Sequence, residues 1–196
     1  MTKSTATIIM VVLVIVTLPV FFITIPILIF SYNALVRKKN QVEFSFSGVD
    51  VMLKKRYDLI PNVVQSVQKI MTHESTLFEK ITALRSKISD GLDTKERFGL
   101  ENEMSQLLGQ LSVTMENYPD IKSNENMMHL QRTLAEMEEQ LSASRRAYNA
   151  SVISFNNSVE SIPSNIMAGF LEYKPKIYFE ATEIERSTPQ VGQLFK

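Results

Sequence analysis

Residues 8–30 read IIMVVLVIVTLPVFFITIPILIF, a run of 23 residues without a charged side chain. Because an α-helix rises about 1.5 Å per residue, a helix of this length spans about 34 Å, slightly more than the roughly 30 Å hydrocarbon core of a bilayer. Eighteen of the 23 residues are Ile, Leu, Val or Phe, which favour insertion most strongly. The stretch predicts a transmembrane anchor over residues 8–30, preceded by a short flank over residues 1–7.

A cleaved secretory signal is the alternative interpretation of this stretch. Such a signal has an apolar core of about 7 to 15 residues, followed by small residues at the cleavage point. Here the apolar run is longer, and the sequence SYNALV that follows it at residues 31–36 makes a poor cleavage site. The chain has no cysteine, which excludes lipoprotein attachment and disulfide bonds. We therefore expect the helix to be retained as an anchor in the lipid bilayer.

The charges on either side of the stretch predict its orientation. Lys3 alone precedes it, whereas Arg37, Lys38 and Lys39 follow it with no acidic residue before Glu43. By the positive-inside rule, the N-terminus lies outside and the larger C-terminal part lies in the cytoplasm. The reverse orientation stays open because the terminal amine also carries a charge. The three cations are also close enough to the membrane to contact anionic headgroups, at about 1 kcal/mol each.

Apolar residues recur at steps of three and four along most of the remaining chain, which is typical of amphipathic helices. Short turns between such helices favour antiparallel neighbours. Pro61 removes one backbone hydrogen bond, so we expect a kink or a restart of the first helix near Ile60. The runs extend from Val42 to Met71, Leu77 to Ile88, Leu100 to Met115 and Met127 to Ile162.

These patterns predict an all-α fold, with an N-terminal transmembrane helix followed by an antiparallel helical bundle of long helices. The bundle occupies residues 31–171, and residues 172–196 form a C-terminal extended segment and a mobile tail. The chain carries 21 basic and 21 acidic residues, so it lacks the basic surplus that nucleic-acid binding requires.

The sequence offers little for catalysis or metal binding. His73 and Glu74 resemble the start of a zinc-protease helix, but that motif needs a second histidine four residues after the first, where Leu77 stands. His129 is the other histidine in the chain. We therefore expect no catalytic residue, no metal and no cofactor. Acidic residues that occur close together are expected to form a solvated face rather than an acid–base pair; they are Glu101, Glu103, Glu136, Glu138 and Glu139.

A polar segment of the first bundle helix is the best candidate for a specific contact. It comprises Arg56, Tyr57, Asp58 and Asn62, and Lys54 lies four residues before Asp58, where the two can pair. In one interpretation, Arg56 and Asp58 bond across to another helix, for example at the turn around Tyr118, and fix its packing. In the other, the segment is a surface on which a partner docks.

Five motifs of the chain occur in the order and spacing of the LemA family, and they cover nearly everything after the anchor. They are YNALV at residues 32–36, DVMLKKRYDLIPN at 50–62, ENYP at 116–119, RRAYN at 145–149 and IPSN at 162–165. The sequence departs from the family pattern at Phe46, where tryptophan is usual. The resemblance implies a bacterial membrane protein with one transmembrane helix, an antiparallel bundle and no established enzyme activity.

The family includes proteins encoded beside membrane proteases and a branch associated with magnetosome membranes, which implies a role in organising membranes. We therefore predict a non-enzymatic single-pass scaffold or adaptor, with other membrane proteins as partners and self-association left open. A signalling or stress-response element of the envelope is the alternative. A membrane-tethered enzyme is less favoured, because histidine is scarce, cysteine is absent and no nucleophile motif occurs.

Overall fold

A computed structural model describes residues 3–88, 92–122 and 124–180, and all regular secondary structure in these ranges is helical. This confirms the predicted all-α fold. The predicted mobile tail lies, from residue 181 onward, outside the described residues. The elements are α1 Lys3–Gln68, a 3₁₀ turn Thr72–Glu74, α2 Ser75–Lys87, α3 Thr94–Met115, α4 Pro119–Lys122, α5 Glu125–Glu160 and α6 Ser164–Phe170.

Helix α1 is unbroken over 66 residues and passes through Pro61 without a restart. Of the kink or restart expected near Ile60, the restart is therefore wrong, and the kink stays a prediction. Proline at position 61 cannot donate a hydrogen bond to the carbonyl of Tyr57, four residues earlier. Nε of Arg85 in α2 donates to this carbonyl at 3.2 Å. A side chain from the neighbouring helix thus replaces the backbone donor that the proline removes, and the helix continues.

The chain divides into two compact units. The first unit comprises Met1–Glu43 and Ser151–Lys176, and the second comprises Phe44–Ala150 and Ile177–Lys196. Helices α1 and α5 contribute residues to both units.

The second unit is a bundle of α2, α3 and the adjoining parts of α1 and α5. Its core joins apolar residues from all four helices and from α4. The order of contacts along α1 gives the directions of its neighbours. Moving along α1, the contacted residues rise in number in α3 and fall in number in α5, so α3 runs parallel to α1 and α5 runs antiparallel to it. The contacts are Phe46 with Phe98 and Tyr148, and Arg56 with Ser105 and Glu138. The short connection before α2 reverses the chain, so sequential helices alternate in direction, as predicted.

The first unit contains the apolar stretch, whose described side chains are largely exposed. Phe22 is 75% exposed and Phe30 is 72% exposed. Farther along α1, Leu35 is fully buried, and Phe155 of α5 is buried in the same unit. In the part of the chain that the structure describes, one helical segment, Phe21–Gln68 of α1, is long and apolar enough to cross a membrane. Its exposure differs from that of a helix in the core of a soluble protein, which is mostly buried.

Residues 173–180 have no regular secondary structure and are held by side chains of α5. In the second unit, the amide of Asn149 donates to the carbonyl of Phe179 and accepts from its N–H, both at 2.8 Å. In the first unit, Asn156 binds the backbone of Lys176 in the same way, at 2.9 and 2.8 Å. Each asparagine satisfies a backbone donor and acceptor that would otherwise have no partner in a strand or helix.

Candidate functional site

A fully buried arginine lies at the centre of the second unit. Nη1 of Arg56 donates to Oγ of Ser105 at 2.7 Å and to Oε1 of Glu138 at 3.0 Å. Its Nη2 donates to the carbonyl of Glu101 at 3.1 Å and to Oε2 of the same residue at 3.0 Å. One side chain of α1 therefore binds both α3 and α5.

Glu101 contradicts the expectation that the acidic residues form a solvated face. Its side chain is fully buried against Arg56, whereas Glu103, two residues later, is exposed. Burial removes the carboxylate from water and raises its pKa above the ordinary value of 4.5, while the positive charge of Arg56 acts in the opposite direction. The sequence does not reveal this pairing, because helical spacing places Glu101 beside the apolar stripe without indicating what faces it.

Ser105 is the junction of the cluster. Its hydroxyl accepts from Arg56 and, at 3.4 Å, from Nη2 of Arg145, and it donates to Oε2 of Glu138 at 3.3 Å. The guanidinium of Arg145 lies 4.2 Å from the ring centre of Phe179, a cation–π contact. We call Arg56, Glu101, Ser105, Glu138 and Arg145 the arginine network. Two cations and two carboxylates balance its charge.

The other residues of the predicted polar segment do not join this network. Tyr57 is half-buried, and both Asp58 and Asn62 are exposed. Within the described ranges Asp58 forms no ion pair with Lys54. The hydroxyl of Tyr118 lies 3.4 Å from Oε1 of Glu74, so the turn at Tyr118 is not the partner of Arg56. A docking role for Asp58 and Asn62 stays a prediction.

The three predicted membrane-proximal cations of the first unit differ in their surroundings. Nζ of Lys38 donates to the carbonyl of Ser154, at 3.2 Å, and to the hydroxyl of Ser158. Lys39 pairs with Glu43 at 3.3 Å. Arg37 is exposed. Of the three, Arg37 is the side chain best placed to contact a headgroup.

An aromatic cluster adjoins the arginine network and was not predicted from the sequence. The ring centre of Phe98 lies 6.3 Å from that of Phe46, 5.8 Å from that of Tyr148 and 4.0 Å from that of Phe179. The hydroxyl of Tyr148 donates to the carbonyl of Ile177 at 2.9 Å, and burial raises its pKa. Phe46 is therefore a packing residue.

A groove lies between α3 and α5 beside the arginine network. Its volume is about 670 Å³, and its floor includes Leu108 and Leu134, both buried. Val113 lines the groove and is 64% exposed. Glu138 stands at the edge shared with the network. The groove thus has an apolar floor, and the polar residues of its lining are Ser105, Gln106, Gln110, Ser112, Thr114 and Glu138.

The described part of the chain contains no group of three or more His, Asp or Glu side chains that could hold a metal ion. His73 and Glu74 lie in the 3₁₀ turn before α2 rather than on a long helix.

Comparison with known proteins places these features in a family. The LemA family profile matches residues 45–192, about three quarters of the chain. The chain belongs to the LemA family. The match includes every member of the arginine network and the aromatic cluster.

The chain is also similar to individual proteins over most of its length. The chain is 27% identical to Protein LemA of Metamycoplasma hominis, over 89% of this chain and 82% of that protein. It is 23% identical to the magnetosome protein MamQ of Magnetospirillum gryphiswaldense and 24% identical to MamQ 2 of Paramagnetospirillum magneticum, over 85% of this chain and 72% of each relative. None of these names denotes an enzyme. The apolar N-terminal helix and these relatives fit a membrane-associated protein.

Proposed function

We propose that this protein is a non-enzymatic, single-pass membrane scaffold or adaptor, whose second unit binds other membrane proteins. The exposed apolar stretch of α1 is the observation that carries the proposal. Side chains such as Phe22 and Phe30 would present a large apolar surface to water, which soluble proteins avoid. Lipid is the solvent that removes this cost. The same helix continues to Arg56, so the anchor and the bundle share one element.

The arginine network supports a structural rather than a catalytic role for the polar residues. A catalytic acid or base must reach its substrate, but Arg56 and Glu101 are fully buried and bonded to each other. Ser105 makes three hydrogen bonds within the network. The charged groups that sequence and structure single out therefore hold helices together.

We assign partner binding to the groove between α3 and α5, with apolar side chains of a second membrane protein as its occupant. The buried floor at Leu108 and Leu134 offers an apolar contact, and Val113 projects from its side. Capture of the tagged full chain from membranes in mild detergent, after brief crosslinking, tests this assignment. We expect a stoichiometric partner that is lost in Val113→Glu.

Phe44→Glu is the matched control, since Phe44 is 75% exposed in the same unit but does not line the groove. The partner should be retained in this variant. Equal recovery with both variants would contradict the assignment to the groove. If this chain is recovered crosslinked only to itself, the occupant of the groove is a second copy of the chain and not another membrane protein. Turnover of a substrate by the purified chain would refute the non-enzymatic role.

We further propose that the second unit lies in the cytoplasm and the N-terminus outside. The excess of Arg37, Lys38 and Lys39 over Lys3 supports this orientation. Because the chain has no cysteine, single cysteines at Thr2 and at the exposed Phe44 can be labelled in intact cells without a background. A membrane-impermeant maleimide should label Thr2→Cys but not Phe44→Cys until the cells are opened. The opposite pattern would reverse the topology.

A signalling element of the envelope is the second candidate function. The unbroken course of α1 favours it, because a single helix carries both the apolar stretch and the residues of the second unit. A deletion phenotype confined to one envelope stress, without a stoichiometric partner, would support signalling over the scaffold. A captured partner with no stress-specific phenotype would support the scaffold.

A further inference from the structure

The end of the first unit carries a second apolar surface, separate from the stretch at residues 8–30. Residues 161–171, SIPSNIMAGFL, contain no charged side chain between Glu160 and Glu172. Three of them are exposed to an unusual degree: Ile162 by 83%, Ile166 by 55% and Phe170 by 81%. We call these three side chains the second apolar patch.

The patch has the geometry of one face of a short helix. Its members are four residues apart, and the last two lie on α6, Ser164–Phe170, so they point to the same side. Ala168, on the opposite face of α6, is only 2% exposed. The small residue therefore packs inward within the first unit, while the large apolar residues face outward. This arrangement is the reverse of the usual one for a soluble domain.

The position of α6 along the anchor indicates what covers the patch. Pro163 and Ser164 line a cavity of about 560 Å³ together with Ile27 and Phe30, the last residues of the apolar stretch, and Lys38. The start of α6 is thus level with the end of the stretch, where a membrane-spanning helix passes from hydrocarbon into the headgroup region. A short helix at this level can lay its apolar face into the boundary between headgroups and acyl chains, at a depth of about 5 to 10 Å.

We propose that the second apolar patch is an additional membrane contact, which lies in the interface of the leaflet where the apolar stretch ends. The inference rests on the proposed membrane anchoring and adds a second point of attachment to it. Phospholipid is the occupant, since the start of α6 and the end of the anchor line one cavity, and residues 161–171 have no charge to pair with a protein partner. Two separated contacts with one leaflet would restrict rotation of the first unit about the membrane normal.

Tryptophan fluorescence of the full chain in phospholipid vesicles tests the proposal. The parent chain contains no tryptophan, so each variant carries a single emitter. Phe170→Trp places it on the patch, Phe22→Trp places it in the apolar stretch, and Val113→Trp places it on an exposed site of the second unit. The quencher is bromine on phosphatidylcholine acyl chains. One set of vesicles carries it near the headgroup end, the depth expected for position 170, and a second set carries it farther down the chains, the depth expected for position 22. Circular dichroism confirms that each variant keeps the helical content of the parent.

We expect brominated lipid to quench most of the emission of Phe170→Trp and to leave that of Val113→Trp unchanged. Adding Ile166→Ser to Phe170→Trp should reduce the quenching. If Phe22→Trp is quenched and Phe170→Trp is not, the inference is wrong while anchoring stands. If neither Phe22→Trp nor Phe170→Trp is quenched, the inference about the patch and the proposed anchoring are both wrong. A blue-shifted but unquenched Phe170→Trp would show that protein covers the patch, and equal quenching of Val113→Trp would show non-specific adsorption; both overturn the proposal.

Discussion

Replacing Arg56 with methionine should strongly destabilise the second unit. The substitution removes a charge-assisted bond to Glu101, another to Glu138, and the bonds to Ser105 and the Glu101 carbonyl. Glu101 has no accessible surface in its side chain, so its carboxylate would stay buried without its main cation. Breaking a buried pair from one side typically costs about 3 to 5 kcal/mol.

The matched control is Arg97→Met, which breaks a second ion pair of the same unit. Nη2 of Arg97 lies 2.6 Å from Oδ1 of Asp50, but the two side chains are 23% and 41% exposed. Water can replace the lost partner, and such a pair contributes about 0.2 to 1 kcal/mol. The two ion pairs are similarly close, but the pair of Arg56 and Glu101 is fully buried and the pair of Arg97 and Asp50 is partly exposed.

Urea unfolding of the full chain in mild detergent, followed by circular dichroism, measures both effects. Arg56→Met should lower the free energy of unfolding by several times as much as Arg97→Met. The double variant Arg56→Met, Glu101→Leu should recover much of the loss, because it removes the two fully buried charges and leaves Arg145 and the partly exposed Glu138 to balance each other. Equal losses for Arg56→Met and Arg97→Met would refute the reasoning, as would a double variant no more stable than Arg56→Met.

Three further predictions concern single contacts. Arg85→Met should lower the free energy of unfolding by about 1 kcal/mol, because it leaves the Tyr57 carbonyl opposite Pro61 without a donor. Pro61→Ala restores the backbone donor and should cancel this loss. Urea unfolding of the two single variants and of the double variant measures both effects. Asn149→Ala should free the backbone of Phe179 and speed hydrogen exchange of its amide, whereas Asn102→Ala, which removes a bond to Glu180 alone, should leave that amide protected. Burial raises the pKa of Glu101 above 4.5, so the folded chain binds a proton at this carboxylate more tightly than the unfolded chain does. The protonated carboxyl therefore contributes most to stability below pH 4.5, and this contribution is lost as the pH rises through the folded-state pKa. The free energy of unfolding should decline less across this pH range in Glu101→Gln than in the parent chain. Identical pH profiles for the two chains would contradict the raised pKa.

The sequence predicts the helices well because their apolar periodicity is long and regular. The runs from Leu77, Leu100 and Met127 correspond to α2, α3 and α5. Pro61 misled the prediction because local chemistry disfavours a helix there, and the compensating donor, Arg85, is 28 residues away in sequence. No pattern within the first helix indicates such a donor. Tertiary contacts therefore decided the course of α1 at Pro61.

The candidate site was only partly predictable for the same reason. Arg56 stands out in the sequence as a cation beside an apolar stripe, but its partners come from two other helices. Glu101 looks like any acidic residue of a solvated face until α3 packs against α1. Phe179 lies in a segment with little periodicity, and its place in the aromatic cluster depends on the amide of Asn149. Spacing identifies a face of a helix, whereas the identity of the opposing residue requires the packed bundle.

Membrane retention after washing with alkaline carbonate tests the central claim most directly. Membranes from cells that express the full chain are washed and sedimented, and the pellet and supernatant are probed for the protein. The account predicts that the chain stays in the pellet and that a variant with lysines at Leu18 and Ile25 moves toward the supernatant, since each buried charge costs about 3 kcal/mol of insertion. Recovery of the unsubstituted chain in the supernatant would contradict it.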